Sequence, residues 1–157
     1  RVAEARERIK GPVAHKDWVW AKETLLLDAL IAKKREVEVE VQAIQVGPVV
    51  CLSNPAEYFV SYGLQLKKRS GFPMTFPVEL ANGCVGYVPD EEAFGPNGGG
   101  YETRLTSYSN LEVTAGTQFM NVGLELAAKM KPAKLPERPN GPTGKPWAYG
   151  DQPPQLK

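Results

Sequence analysis

Residues 78–104, VELANGCVGYVPDEEAFGPNGGGYETR, organise the reading of the whole chain. A strand over Met74–Leu80 runs into the turn Ala81-Asn82-Gly83, and a second short strand, Cys84–Val88, carries Tyr87. Pro89 and the acids that follow it predict a short helix to Phe94, after which the loop Gly95–Gly100 delivers a second tyrosine, Tyr101. A run such as Gly98-Gly99-Gly100 costs chain entropy that a loop serving stability alone would avoid. The stretch therefore reads either as the wall of a bound group or as an ordinary hairpin with a long surface loop.

Working outward, Val37, Val39 and Val41 alternate with Glu36, Glu38 and Glu40, which predicts a strand with one buried and one solvated face, prolonged over Ala43–Val46. Gly47-Pro48 turns the chain into Val49–Leu52, a continuous apolar run that suits an inner strand covered on both faces. Ser53-Asn54-Pro55 then offers a cap and a first helical turn, so a helix is expected from there to Arg69, with Glu57 in its first turn. A carboxylate at that place complements the helix dipole in any protein, and it also stands where open sheets present ligands. The basic end Lys67-Lys68-Arg69 fits the opposite pole.

Helices bracket this centre. Val2–Lys10 is rich in helix formers and is stopped by Gly11-Pro12. Over His15–Arg35 an apolar stripe of Trp18, Leu25, Leu26, Ala29 and Leu30 predicts a core-facing helix, and over Ala115–Lys131 Phe119, Val122, Leu126 and Met130 predict another. The fold class is α+β (mixed α/β): a β-sheet with flanking helices, one domain over residues 1–131. Residues 132–157 form a proline-rich extended tail, which Trp147 and Tyr149 anchor to the globular body.

Composition excludes several classes. With 19 basic and 18 acidic side chains in 157 residues, the chain has neither the electrostatic footprint of a nucleic-acid binder nor a polybasic membrane anchor. No apolar run approaches the roughly 20 residues of a transmembrane segment. Cys51 and Cys84 lie in apolar runs and read as buried free thiols. His15, the only histidine, reads as a capping or surface residue, since zinc sites draw on several His or Cys. The start, RVAEARERIK, has neither an initiator Met nor a signal-peptide pattern and reads as the later part of something longer.

Asn54-Pro55-Ala56-Glu57-Tyr58, Ala81-Asn82-Gly83-Cys84-Val85-Gly86-Tyr87-Val88-Pro89 and Gly100-Tyr101-Glu102 together resemble the later part of the catalytic domain of neutral/alkaline (non-lysosomal) ceramidases, over roughly residues 36–131. The resemblance implies that Glu57 and Tyr87 are zinc ligands and that Tyr101 is a catalytic tyrosine. It implies an amidohydrolase that cleaves the N-acyl amide of ceramide or a related lipid amide, in a secreted or periplasmic setting. The family's two histidine ligands and its serine nucleophile have no counterpart here, so an upstream segment or a second chain is the expected partner. Cys84 stands where relatives carry an aromatic or small residue.

The chemistry is consistent with the donors. Catalytic zinc takes three protein ligands and keeps a position open, so Glu57 and Tyr87 supply part of a shell, and these residues alone are expected neither to hold zinc tightly nor to hydrolyse an amide. A dication favours the phenolate of a tyrosine ligand, and Tyr101 is placed to donate to a tetrahedral oxyanion. Two other readings stand beside it: a non-catalytic ligand-binding or interaction module, in which the glycine loop serves without metal, and a structural piece in which the tyrosines are core aromatics.

Overall fold

The computed structural model describes residues 1–13 and 15–138. Helices α1 (Val2–Arg8) and α2 (Lys16–Lys33) come first, then strands β1 (Gln42–Val46), β2 (Val49–Ser53) and β3 (Glu57–Tyr58). Helix α3 (Val60–Arg69), strands β4 (Met74–Val78) and β5 (Tyr87–Val88), a 3₁₀ turn (Glu91–Phe94) and helix α4 (Ala115–Ala128) complete a mixed α+β fold. Trp147, Tyr149 and the tail they were expected to anchor lie outside the described residues. Among those described, no helix is long and apolar enough to cross a membrane.

The sheet is built around β2. It pairs antiparallel with β1 through the Gly47-Pro48 turn and parallel with β4, the crossover between them containing α3. Alternation along β2 sends Val50 and Leu52, 0% and 2% exposed, into the core, where α3 and α4 cover them. Tyr58 and Tyr62 stack there with centroids 4.6 Å apart, and the Tyr58 hydroxyl donates to the Gly116 carbonyl at 2.5 Å. Gly116 is required at this crossing, because a Cβ would run into the Tyr62 ring. Phe119, Met120 and Ala127 of α4 close the core, each large apolar side chain contributing roughly 1.5–3 kcal/mol by burial.

Several expectations are corrected. Residues 36–41 are extended but unpaired: Val39 and Val41 pack on the core while Val37 is exposed. The ladder stops at Gln42↔Ser53 because the next residue of the partner, Asn54, gives its N–H to the Val78 carbonyl. β2 is covered on one face only, since Val49, Cys51 and Ser53 are half-buried. The thiols are free, yet Cys51 is half-buried and Cys84 exposed, so neither is a buried one. Strand β4 ends at Val78 and β5 covers only Tyr87–Val88.

Helix α2 differs in its facing. It buries Ala21 and Leu27 against α1, whose Ala5 is buried, and leaves Leu26, Ala29 and Leu30 exposed. The pair forms a helical hairpin beside the body rather than a layer on the sheet. His15 caps α2, its Nδ1 accepting from the Asp17 N–H at 3.3 Å, as the sequence predicts.

Candidate functional site

The segment Asn54–Phe59 is held by two arms of the chain at once. The Asn54 side chain accepts from the Ala56 N–H at 3.0 Å, a local turn that sets the backbone away from helix. On one side Ala81 donates to the Asn54 carbonyl and Leu80 to that of Ala56. On the other, Val85 donates to the Pro55 carbonyl at 2.8 Å, while Glu57 and Phe59 donate to the carbonyls of Gly86 and Val88 at 2.9 and 3.3 Å. The Tyr58 N–H is taken by the Glu79 carboxylate at 3.1 Å. These peptide groups are satisfied across the chain, so the helix begins only at Val60. Glu57 therefore belongs to a strand and not to a first helical turn, which corrects the expectation for this residue.

Strands β3 and β5 run parallel with Glu57 opposite Tyr87 and Tyr58 opposite Val88. Because side chains alternate, the pair Tyr58 and Val88 enters the core and the pair Glu57 and Tyr87 is turned to the other face, half-buried and side by side. The backbone of Tyr87 is fixed from below: its N–H donates to the Ser109 hydroxyl at 2.9 Å, and the Ser109 N–H in turn donates to Thr106 Oγ1 at 2.8 Å. Gly86 makes this possible. Its φ is +73°, and a Cβ there would run into the Tyr108 carbonyl and the Ser109 hydroxyl.

Tyr101 comes from the glycine loop. Asp90 caps the 3₁₀ turn by accepting from the Ala93 N–H at 3.1 Å and also accepts from the Ser61 hydroxyl at 2.7 Å, tying the loop's start to α3. Gly99 then donates to the Ala93 carbonyl at 2.8 Å, folding the glycine run back on the turn. The chain leaves Tyr101 edge-on to Tyr87, with centroids 5.2 Å apart and planes at 81°, a favourable aromatic geometry. Its ring is 58% exposed.

Glu57, Tyr87 and Tyr101 thus meet, although 44 positions separate the first from the last. The Glu57 carboxylate, an acceptor for the neutral phenol, pushes the Tyr87 pKa well above its usual value, and the Tyr101 hydroxyl adds to the effect. A cation beside the same oxygens would act in the opposite sense and favour the phenolate. The donor set fits zinc as two members of a shell, one carboxylate and one phenol. Among the described residues no group of three or more His, Cys, Asp and Glu converges, so the remaining donors would come from elsewhere. The cavity that touches Tyr87, walled by Pro89, Phe94 and Glu102, has a volume of only about 20 Å³ and admits no more than a single water.

Residues that the sequence reading passed over do much of the positioning. Thr106, Ser109 and Glu79 fix the backbones of β5 and β3, and Glu23 of α2 accepts from both the N–H and the hydroxyl of Ser107, at 3.0 and 2.6 Å. The run Thr106-Ser107-Tyr108-Ser109-Asn110 carried the signal, since closely spaced hydroxyl and amide side chains tie down backbone groups in turns. Compared with protein-family models, with curated proteins and with solved structures, the chain matches none of them.

Proposed function

We propose that Glu57, Tyr87 and Tyr101 are part of the active site of a zinc-dependent amidohydrolase of the neutral ceramidase kind, acting on the N-acyl amide of ceramide or a related lipid amide. The observation that carries the reading is the parallel register that sets Glu57 beside Tyr87, with Tyr101 on the edge of the Tyr87 ring. Glu57 and Tyr87 are the residues that would hold the metal, and an upstream segment or a second chain supplies the two imidazole donors and the nucleophile. When bound, zinc supplies Lewis-acid polarisation of the amide carbonyl and lowers the pKa of a nucleophile.

Within that site Glu57 contributes the ligand charge, and it sets the proton balance of Tyr87, whose phenol gives up its proton only when a cation offsets the carboxylate. Tyr101, held edge-on to Tyr87 on the mobile side chain of an exposed loop residue, donates its O–H to the developing oxyanion. In the net reaction water adds across the amide, the C–N bond breaks, and a fatty acid and an amine leave.

The test uses the whole natural polypeptide or assembly, with zinc content measured by mass spectrometry beside hydrolysis of a fluorescent N-acyl sphingoid substrate. Glu57→Gln is expected to lose metal and activity together. Tyr101→Phe is expected to keep the metal and to lower kcat about 10²–10³-fold, the effect of removing one oxyanion donor. Full zinc and full turnover in Glu57→Gln would refute the proposal. A second reading, a non-catalytic ligand-binding or interaction module, draws on the exposure of Tyr101 and the small size of the cavity at Tyr87. Zinc-free protein that retains a saturable ligand and lacks turnover would favour it.

A further inference from the structure

The face of the three-stranded sheet turned away from α3 and α4 is apolar and open. Register places Val46, Val49 and Met74 in one row across it, Ile44, Cys51 and Phe76 in the next, and Gln42, Ser53 and Val78 in the third. Ile44 and Val46 are 56% and 67% exposed, and Phe76 is 48% exposed. No charged side chain interrupts the three rows. A solvated strand face in an antiparallel pair ordinarily alternates to polar residues, and this one does not. Contiguous exposed apolar surface of this kind marks a place where something docks.

The course of the chain after α4 points to the occupant. Gln45 Nε2 donates to the Lys131 carbonyl at 2.8 Å, and the Ala133 N–H reaches the Gly47 carbonyl at 3.5 Å. The chain is thereby tied to the β1–β2 turn, at the end of the sheet where the row of Val46, Val49 and Met74 lies. From Ala133 to Trp147 are fourteen positions, about 43 Å of polyproline-like chain at about 3.1 Å per residue. The face is only about 10 Å wide, from the spacing of three strands, and about 17 Å long. Reach is ample. Between Pro139 and Gly150 the single charged side chain is Lys145, and Pro139, Pro142, Pro146, Trp147 and Tyr149 supply apolar surface without the N–H groups that would pair with a sheet edge. A tethered segment also competes at an effective concentration of about millimolar, ahead of a second copy in dilute solution.

We propose that residues 139–150, led by Trp147 and Tyr149, lie across the open face of β1, β2 and β4, over Ile44, Cys51 and Phe76. Cys51 sits in the middle row and reports on it, and exposed Cys84 is the internal reference. In the full chain, a thiol reagent is expected to modify Cys51 at least about tenfold faster after Trp147→Ser with Tyr149→Ser, the factor that about 1.4 kcal/mol of docking free energy gives. Cys84 and the circular dichroism are expected to stay unchanged, and Trp147→Phe with Tyr149→Phe to restore protection. The unsubstituted chain is expected to show nuclear Overhauser contacts between the Trp147 indole and the methyl groups of Ile44 and Val46, a readout that holds even if the serine variant unfolds. Equal Cys51 rates with intact dichroism, or absence of those contacts, would overturn the proposal. Cys51 protection that rises with protein concentration, with a dimer in sedimentation, would overturn it in favour of a second copy.

Discussion

Glu57 shows how much a single residue's meaning depends on its neighbours in space. Its local sequence, Ser53-Asn54-Pro55-Ala56-Glu57, carries the cap and the proline of a helix start, yet the residue is in a parallel strand pair with Tyr87. The cap residue is used differently: Asn54 closes a turn onto Ala56. Gly86 is the residue on which that strand pair rests. Gly86→Ala is expected to cost roughly 1–3 kcal/mol from its positive φ alone, and more from the collision with Tyr108 and Ser109, read as a lowered denaturation midpoint. Gly47→Ala is the control, because Gly47 has φ +57° but open space around it and loses only the conformational part. Equal losses in the two variants would mean that the close approach of the 106–109 loop does not hold β5.

Among the elements, α3, α4 and the β1–β2 hairpin follow from periodicity and turn residues, and α2 does not follow in its facing. The stripe of Leu26, Ala29 and Leu30 is real as a sequence pattern, but α2 meets the body through polar groups instead. Glu23 accepts from Ser107, and the Arg104 guanidinium lies 4.4 Å from the centre of the Trp20 ring, a contact of about 0.5–2 kcal/mol. Glu23→Ala is expected to lower the protection of α2 against amide hydrogen exchange by about 1–3 kcal/mol, leaving β2 and β4 as protected as before. Loss of protection in β2 equal to that in α2 would mean that the hairpin and the sheet unfold as one unit. Val37–Val41 went unread as an unpaired stretch for a related reason, since alternation reports which side chains are buried and says nothing about whether a partner strand extends that far.

For the whole molecule, the core tyrosines set the alkaline limit. Burial first, and then the neighbouring Tyr62, raise the Tyr58 pKa above its usual value, and burial first raises that of Tyr62. A phenol whose folded pKa is raised stabilises the fold fully below its unfolded value of about 10, and that contribution is lost as pH rises beyond it. Stability at fixed denaturant is therefore expected to decline above about pH 10 in step with tyrosine ionisation, and Tyr58→Phe to flatten the decline. The same variant leaves the Gly116 carbonyl without its partner and is expected to cost about 1–3 kcal/mol at neutral pH. A stability curve unchanged to pH 11 in the unsubstituted chain would refute the assignment. By itself the sequence determined the mixed α+β class, the turn at Gly47-Pro48, the cap at His15, the 3₁₀ turn after Pro89 and the closing helix α4, because each depends on residues within a turn or two of one another. Only the tertiary structure decided that Glu57 leaves the helix for a strand and that Tyr101 rests edge-on against Tyr87. It also decided that one sheet face stays open and that Thr106 and Ser109 hold the site from below. Those outcomes depend on which buried peptide groups find partners far along the chain, and a local pattern carries no record of that competition.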